Sequence, residues 1–254
     1  TETSLFIRGY RTNNGNVFVN GHQDNKRLFS RDLDTVEQVD IVKGHSSVLF
    51  GSGSPGGTIH YETEQPSPYQ STSIKTTIGS YQKRRVALDS TGSTGIDGLN
   101  YRIVAIGQDA DSFIDNVGND KEVLMGSLAW NYNQDDQVRF EIEYDRLQNP
   151  YSYGIVRVND EILYDKSYVD PRTESDRRYL RSSVYWQHTV SDNWGINVLL
   201  NYSTLNRNDI LMGFFYKLEE NTLLGHWADS DNEFWQMSGK VELSGDFSLA
   251  DMEH

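Results

Sequence analysis

Residues 51–57 read Gly-Ser-Gly-Ser-Pro-Gly-Gly, and the first six fit G-x-G-x-x-G, the spacing that lets backbone amides wrap a pyrophosphate. Such a site needs a strand before the glycines and a helix after them, because the phosphate rests on the helix amino terminus. Here the order is reversed. Residues 45–50 read as one short helical turn, and residues 58–63 alternate as a strand. Pro55 also removes a backbone N–H that a phosphate cradle would use. The glycines are therefore read as permitting left-handed backbone and close packing. Asp109, Asp111, Asp115, Asn119 and Asp120 gather oxygen atoms suited to calcium, but their spacing is not that of an EF-hand, and the stretch reads as a solvated acidic loop. His22, His45, His60, His188 and His226 lack paired metal-ligand spacing. Cysteine is absent, which removes thiolate metal sites and thiol nucleophiles. Ser183 and His188, the loose candidates for a nucleophile and its base, are an odd number of residues apart and fall on opposite faces of one strand. No catalytic residue, metal or cofactor is expected.

The elements that carry these residues are strands. In residues 138–145 every other residue is apolar (Val138, Phe140, Ile142, Tyr144) and the residues between are charged (Arg139, Glu141, Glu143, Asp145). That period of two describes a strand with one apolar and one wet face. Trp194, Ile196, Val198, Leu200 and Tyr202 repeat it, as do Trp235, Met237, Val241 and Leu243, and Leu124, Leu128, Trp130 and Tyr132. Weaker versions at 70–79, 81–91, 99–109 and 176–189 bring the count to about eight. Their connections alternate: tight turns at 133–136 and 191–193, long loops expected at 147–175 and 207–231. That alternation, with aromatics near strand ends, fits an outer-membrane barrel; the period alone fits a soluble antiparallel sandwich as well. The net charge of −14 argues against nucleic acid as a partner. No run reaches the ~18 apolar residues of a spanning helix, and no signal peptide precedes the strand-like start at Ser4. The composition shifts at Gln65-Pro66-Ser67-Pro68, which places a domain boundary between 1–65 and 66–254.

Residues 36–59, Val-Glu-Gln-Val-Asp-Ile-Val-Lys-Gly-His-Ser-Ser-Val-Leu-Phe-Gly-Ser-Gly-Ser-Pro-Gly-Gly-Thr-Ile, resemble the end of the plug domain of TonB-dependent outer-membrane receptors. His45 stands where that family usually has Pro. Phe6-Ile7-Arg8-Gly9-Tyr10 and Val17-Phe18-Val19-Asn20-Gly21 resemble the family's preceding strands. Tyr151-Ser152-Tyr153-Gly154 and Tyr168-Val169-Asp170-Pro171 are similar to the third outer loop of siderophore receptors. The resemblance implies a mainly β chain: part of an α+β plug, then about eight antiparallel strands of a 22-stranded barrel. It implies a piece of a longer receptor, because eight strands cannot enclose a plug.

The function that follows from the resemblance is uptake of a ferric siderophore, with a preference for a hydroxamate chelate. It would occur across the Gram-negative outer membrane, by a monomer seated in lipid and driven by TonB, whose contact segment is not in this chain. Cobalamin, haem or a glycan are alternative cargoes, and a small adhesive or enzymatic barrel is the alternative class. Plug-apex candidates for binding are Arg8, Tyr10, Gln23, Asp24 and Asn25; Arg8 offers a forked donor for chelate oxygens or, alternatively, an ion pair to Glu37 or the wall. Outer-loop candidates are the aromatics Tyr151, Tyr153, Phe214, Phe215, Tyr216 and Trp227, placed off the regular strands, where they would either hold an amphipathic ligand or pack the loops together.

Overall fold

The computed structural model describes residues 6–11, 16–24, 31–44, 56–150, 156–158, 161–163, 170–217, 222–246, 248–249 and 252–253. The helical turn expected at 45–50 lies outside them. The amino-terminal part is built from short strands. β1 (Phe6–Ile7) and β2 (Tyr10–Arg11) form a hairpin around Arg8 and Gly9, both with positive φ. β3 (Val17–Val19), β4 (His22–Gln23), β5 (Val36–Lys43) and β6 (Gly57–Thr63) form a sheet in the order β4-β3-β6-β5, with β3 and β6 parallel. Asn20 and Gly21 close the β3–β4 hairpin with φ of 46° and 86°, the conformation for which Asn-Gly is the preferred pair.

The larger part is one antiparallel sheet of eight strands. They are β7 (Ser71–Ile78), β8 (Arg84–Ser93), β9 (Leu99–Asp109), β10 (Asp120–Asn131), β11 (Asp136–Gln148), β14 (Glu174–Ser191), β15 (Trp194–Lys217) and β16 (Thr222–Gly245), each paired with the next. A small hairpin, β12 (Val156–Val158) with β13 (Glu161–Leu163), sits in the long connection between β11 and β14. Two further short strands follow, β17 (Ser248–Leu249) and β18 (Met252–Glu253). The count and positions of the eight strands agree with the alternation in the sequence.

The loop expected at 207–231 is strand over 207–217 and 222–231. Pairing between β15 and β16 continues without a break from Arg207↔Asn232 to Lys217↔Thr222, so Phe214, Phe215, Tyr216 and Trp227 lie on strands. The reason is physical. Beyond Leu205 polar residues occupy both faces of the ladder, exposed at Asn206 and Asn208 and buried at Asp209, so the ladder persists while the period-two apolar signal disappears.

The polarity of the sheet decides between sandwich and barrel. Leu124, Leu128, Phe140, Ile142, Leu180, Val184, Leu200 and Tyr202 are exposed, whereas Glu141, Glu143, Asp145, Arg181, Asn201 and Ser203, on the opposite face, are buried. A soluble sandwich would turn the apolar row inward. This wall turns it outward, continuing to Trp235, Met237, Val241 and Leu243 at 61–74% exposure, and keeps charge inside, as a lipid-embedded barrel wall does. Trp130, Tyr132 and Trp194 stand beside the short turns, at the level of an interfacial aromatic girdle.

Candidate functional site

The buried charges of the wall meet the amino-terminal sheet. Arg31 reaches across 112 positions of sequence and donates through Nη1 to both oxygens of Glu143, at 2.6 and 2.7 Å. Its Nη2 donates to Asp24 at 3.1 Å, and Asp24 also accepts from the Tyr179 hydroxyl at 3.0 Å. Arg181, on β14, donates to Glu143 at 2.8 Å and to Glu141. Thr63 closes the chain by donating to Glu141 at 2.7 Å, while Asn20 Nδ2 lies 2.7 Å from Thr63 Oγ1 and 3.1 Å from the Tyr185 hydroxyl. Burial opposes the charge on Arg31, but the carboxylates of Glu143 and Asp24 outweigh it and hold its pKa above the ordinary value.

A second clasp lies toward the long-loop end. Asp32 caps the single turn of 3-10 helix at Leu33–Thr35, accepting the Asp34 N–H at 3.1 Å. The same carboxylate accepts both arms of Arg85, at 2.8 and 3.0 Å, and Lys121 at 2.9 Å. Burial pushes its pKa up, but the hydrogen bonds from Arg85 and Lys121 win and hold it at about 2. Asp34 adds bonds to Arg85 and Lys75. A third clasp joins Arg102 to Glu64 at 2.8 Å and Asp89 at 2.6 Å.

His22 sits inside the first network, 6% exposed, with both ring nitrogens unpartnered among the described residues. Burial, reinforced by Arg181, lowers its pKa to about 3, so the ring is neutral. Asp40, His60 and Glu62 lie close enough to suggest a cation site. However, the Gly21 N–H donates to His60 Nε2 at 3.0 Å, which leaves the proton of the neutral ring on Nδ1, the nitrogen facing the two carboxylates at 3.9 and 4.0 Å. In that tautomer Nδ1 has no lone pair to offer a metal.

The residues singled out in the sequence are not gathered into one site. Arg8 is exposed in the β1–β2 turn and makes no ion pair among the described residues; Tyr10 is exposed beside it. Gln23 is half-buried, whereas Asp24 belongs to the Arg31 network. Asn25, Tyr151 and Tyr153 lie outside the described residues. Phe214 and Phe215 pair through their backbone with Gly225 and Leu224. Trp227 is exposed, and the Arg172 guanidinium lies 4.4 Å above its ring, held from the other side by Asp170 at 2.8 Å. Ser183 points inward to Asn201 and His188 pairs with Asp136, so they cannot act together. The glycine stretch does pack closely: a Cβ on Gly56 would lie 2.5 Å from the Ile7 carbonyl oxygen, and Gly57, at φ +140°, would press one into the Val42 carbonyl. Arg31 was missed because it lies in a segment without periodicity; the signal was the alternating acid row at 141–145, whose charges require cationic partners if that face is covered.

The TonB-dependent Receptor Plug Domain family model matches residues 1–58. Residues 1–58 thus match a TonB-dependent receptor plug, and the chain as a whole is similar to TonB-dependent receptors. The metal-pseudopaline receptor CntO of Pseudomonas aeruginosa (strain UCBPP-PA14) is 22% identical over 236 residues, covering 88% of this chain and 32% of that protein. The catecholate siderophore receptor Fiu of Escherichia coli O157:H7 is 30% identical over 131 residues, 51% of this chain and 17% of its own. The crystal structure of the ferric-catecholate import receptor Fiu from E. coli K12, in its open form, superposes with a TM-score of 0.87 at 18% identity, over 98% of this chain and 42% of that one. The chain thus spans about a third of the length of a curated relative such as CntO. Its two sheets are plug and barrel wall, and its location is the Gram-negative outer membrane.

Proposed function

We propose that the chain is the plug-and-first-wall part of a receptor for high-affinity uptake of a ferric siderophore, driven by TonB and acting as a monomer. The observation that carries this reading is the inverted wall: apolar outside, with buried charges inside that are ion-paired to the plug. A barrel filled in this way does not conduct freely, so cargo must be recognised from outside and the charged contacts rearranged for passage. The domain boundary proposed lies between 1–65 and 66–254. The relatives are named as receptors for siderophores or metal chelates, which supports a binding role over an enzymatic one. The likeness of Tyr151-Ser152-Tyr153-Gly154 to a receptor outer loop favours a hydroxamate chelate; the names of the Fiu relatives favour a catecholate. Deleting the full-length gene should slow growth on one ferric chelate and leave growth on ferrous iron unchanged. Equal growth on every chelate supplied would overturn the uptake reading.

A further inference from the structure

Arg139 shares the inward face of β11 with Glu141 and Glu143 but takes no part in their network. Glu141 is engaged by Arg181 and Thr63, and Glu143 by Arg31 and Arg181. The Arg139 guanidinium forms no ion pair among the described residues, and its Nε is buried without a hydrogen-bond partner. It lies over the Tyr185 ring, 3.9 Å from the ring centre. Stacking occupies the flat face of a guanidinium and leaves the N–H groups at its edge to donate in the plane, the geometry that grips an oxyanion through two bonds. A charge partly withdrawn from water with no counter-ion is costly, so the position calls for an anion.

Space for one adjoins it. A cavity of about 170 Å³ opens at the short-turn end of the wall, beneath the plug hairpin at Asn20 and Gly21, with Arg139 and Tyr185 on its lining. That volume holds a tetrahedral oxyanion with part of its hydration shell. The charged groups on the lining are Arg139, Lys240 and Glu242, two cations against one carboxylate. Lys240 and Glu242 are half-exposed and paired with each other, so the uncompensated charge is that of Arg139. Gln187 and Asn197 also line the cavity, and their side-chain amides can donate to the same guest.

We propose that this cavity is a binding site for a small tetrahedral oxyanion of the phosphate class, gripped by Arg139 and attracted by Lys240. The short turns of an outer-membrane barrel face the periplasm, so the ion enters from that side. The site lies at the opposite end of the wall from the long loops, and its occupant does not depend on which cargo the receptor takes up. Bound there, the ion gives Arg139 the counter-charge that Glu141 and Glu143 give to Arg31 and Arg181.

The test uses the full-length receptor in non-ionic detergent at constant ionic strength, with inorganic phosphate as the probe. Equilibrium dialysis against radiolabelled phosphate should show one bound ion per receptor, displaced by sulfate and not by an equal concentration of chloride. Arg139→Gln should weaken binding by about tenfold or more, the loss of a forked charge-assisted contact. Lys240→Gln should weaken it by about threefold, since it removes an attraction and unmasks Glu242. Lys240 is half-exposed, so its variant carries the result if Arg139→Gln fails to fold. Unchanged affinity in a folded Arg139→Gln or in Lys240→Gln would overturn the site, as would displacement by chloride as effective as that by sulfate. Wild-type receptor that binds no phosphate would also overturn it, and would mean that a carboxylate elsewhere in the receptor neutralises Arg139.

Discussion

Replacing Arg31 by Met in the full-length receptor should loosen the plug from the wall far more than removing any exposed charge. The Arg31 and Glu143 side chains are 2% and 0% exposed, and the guanidinium also neutralises Asp24. Removing one partner of a buried pair costs about 3–5 kcal/mol, because the remaining charge stays desolvated. Arg181 still reaches Glu143 at 2.8 Å, which keeps the loss toward the lower end of that range. A loss of about 3 kcal/mol is roughly a hundredfold rise in the population of the opened state. Amide hydrogen exchange of β6 in the receptor, followed by mass spectrometry, reads that population, since Thr63 is bonded to the same network. Glu143→Gln alone should produce a similar rise. The double variant should lose less than the sum of the two, because each single change already breaks the shared contact. A shift below about 1 kcal/mol in Arg31→Met, the size of a surface pair, would refute the reasoning and mean that water already fills the seam.

Three further outcomes follow from the same geometry. His22 is neutral in the fold, with its pKa lowered to about 3, so the unfolded chain takes up a proton below the ordinary 6.5 and stability falls with pH between those values. His22→Leu should remove that part of the acid sensitivity, seen as a smaller drop in Tm between pH 7 and pH 5 than in the wild type; equal drops would count against it. Gly57→Ala should destabilise the plug by more than about 1 kcal/mol, from the φ of +140° and the clash with Val42, read as increased exchange at β5 and β6. Met237→Arg places a charge on a 73%-exposed lipid-facing site and should cost about 2–4 kcal/mol near the bilayer midplane, measured as reduced folding into lipid vesicles, whereas normal folding would place this face outside the membrane.

The wall was legible in the sequence because its two faces meet different solvents. The alternation at 138–145 named both the apolar belt and the row of acids that turned out to be buried against the plug. Legibility ended where that contrast ended. Residues 207–217 and 222–231 are paired strands, but polar residues stand on both of their faces and the polarity carries no period. The clasp residue Arg31 was invisible for another reason: its partner is 112 positions away and only the fold brings them together. Arg8 drew attention because its neighbours match a known strand, yet it ends in an exposed turn. The glycines at 56 and 57 were read correctly as packing residues, since the strand that follows them leaves no helix terminus for a phosphate.

The inward face of β11 and β14 is lined with carboxylates, guanidinium groups and hydroxyls. Such a surface wets readily, whereas an apolar one would expel water and cling to whatever covered it. Two apolar bodies resist separation over their whole contact area until they part. Two charged ones let go contact by contact, each replaced at once by hydration, so the adhesion is local and has little memory. Along β11 and β14, force on the plug would therefore advance as a peel, with water following the opening front, and the surfaces left behind there would stay wetted and ready to close again.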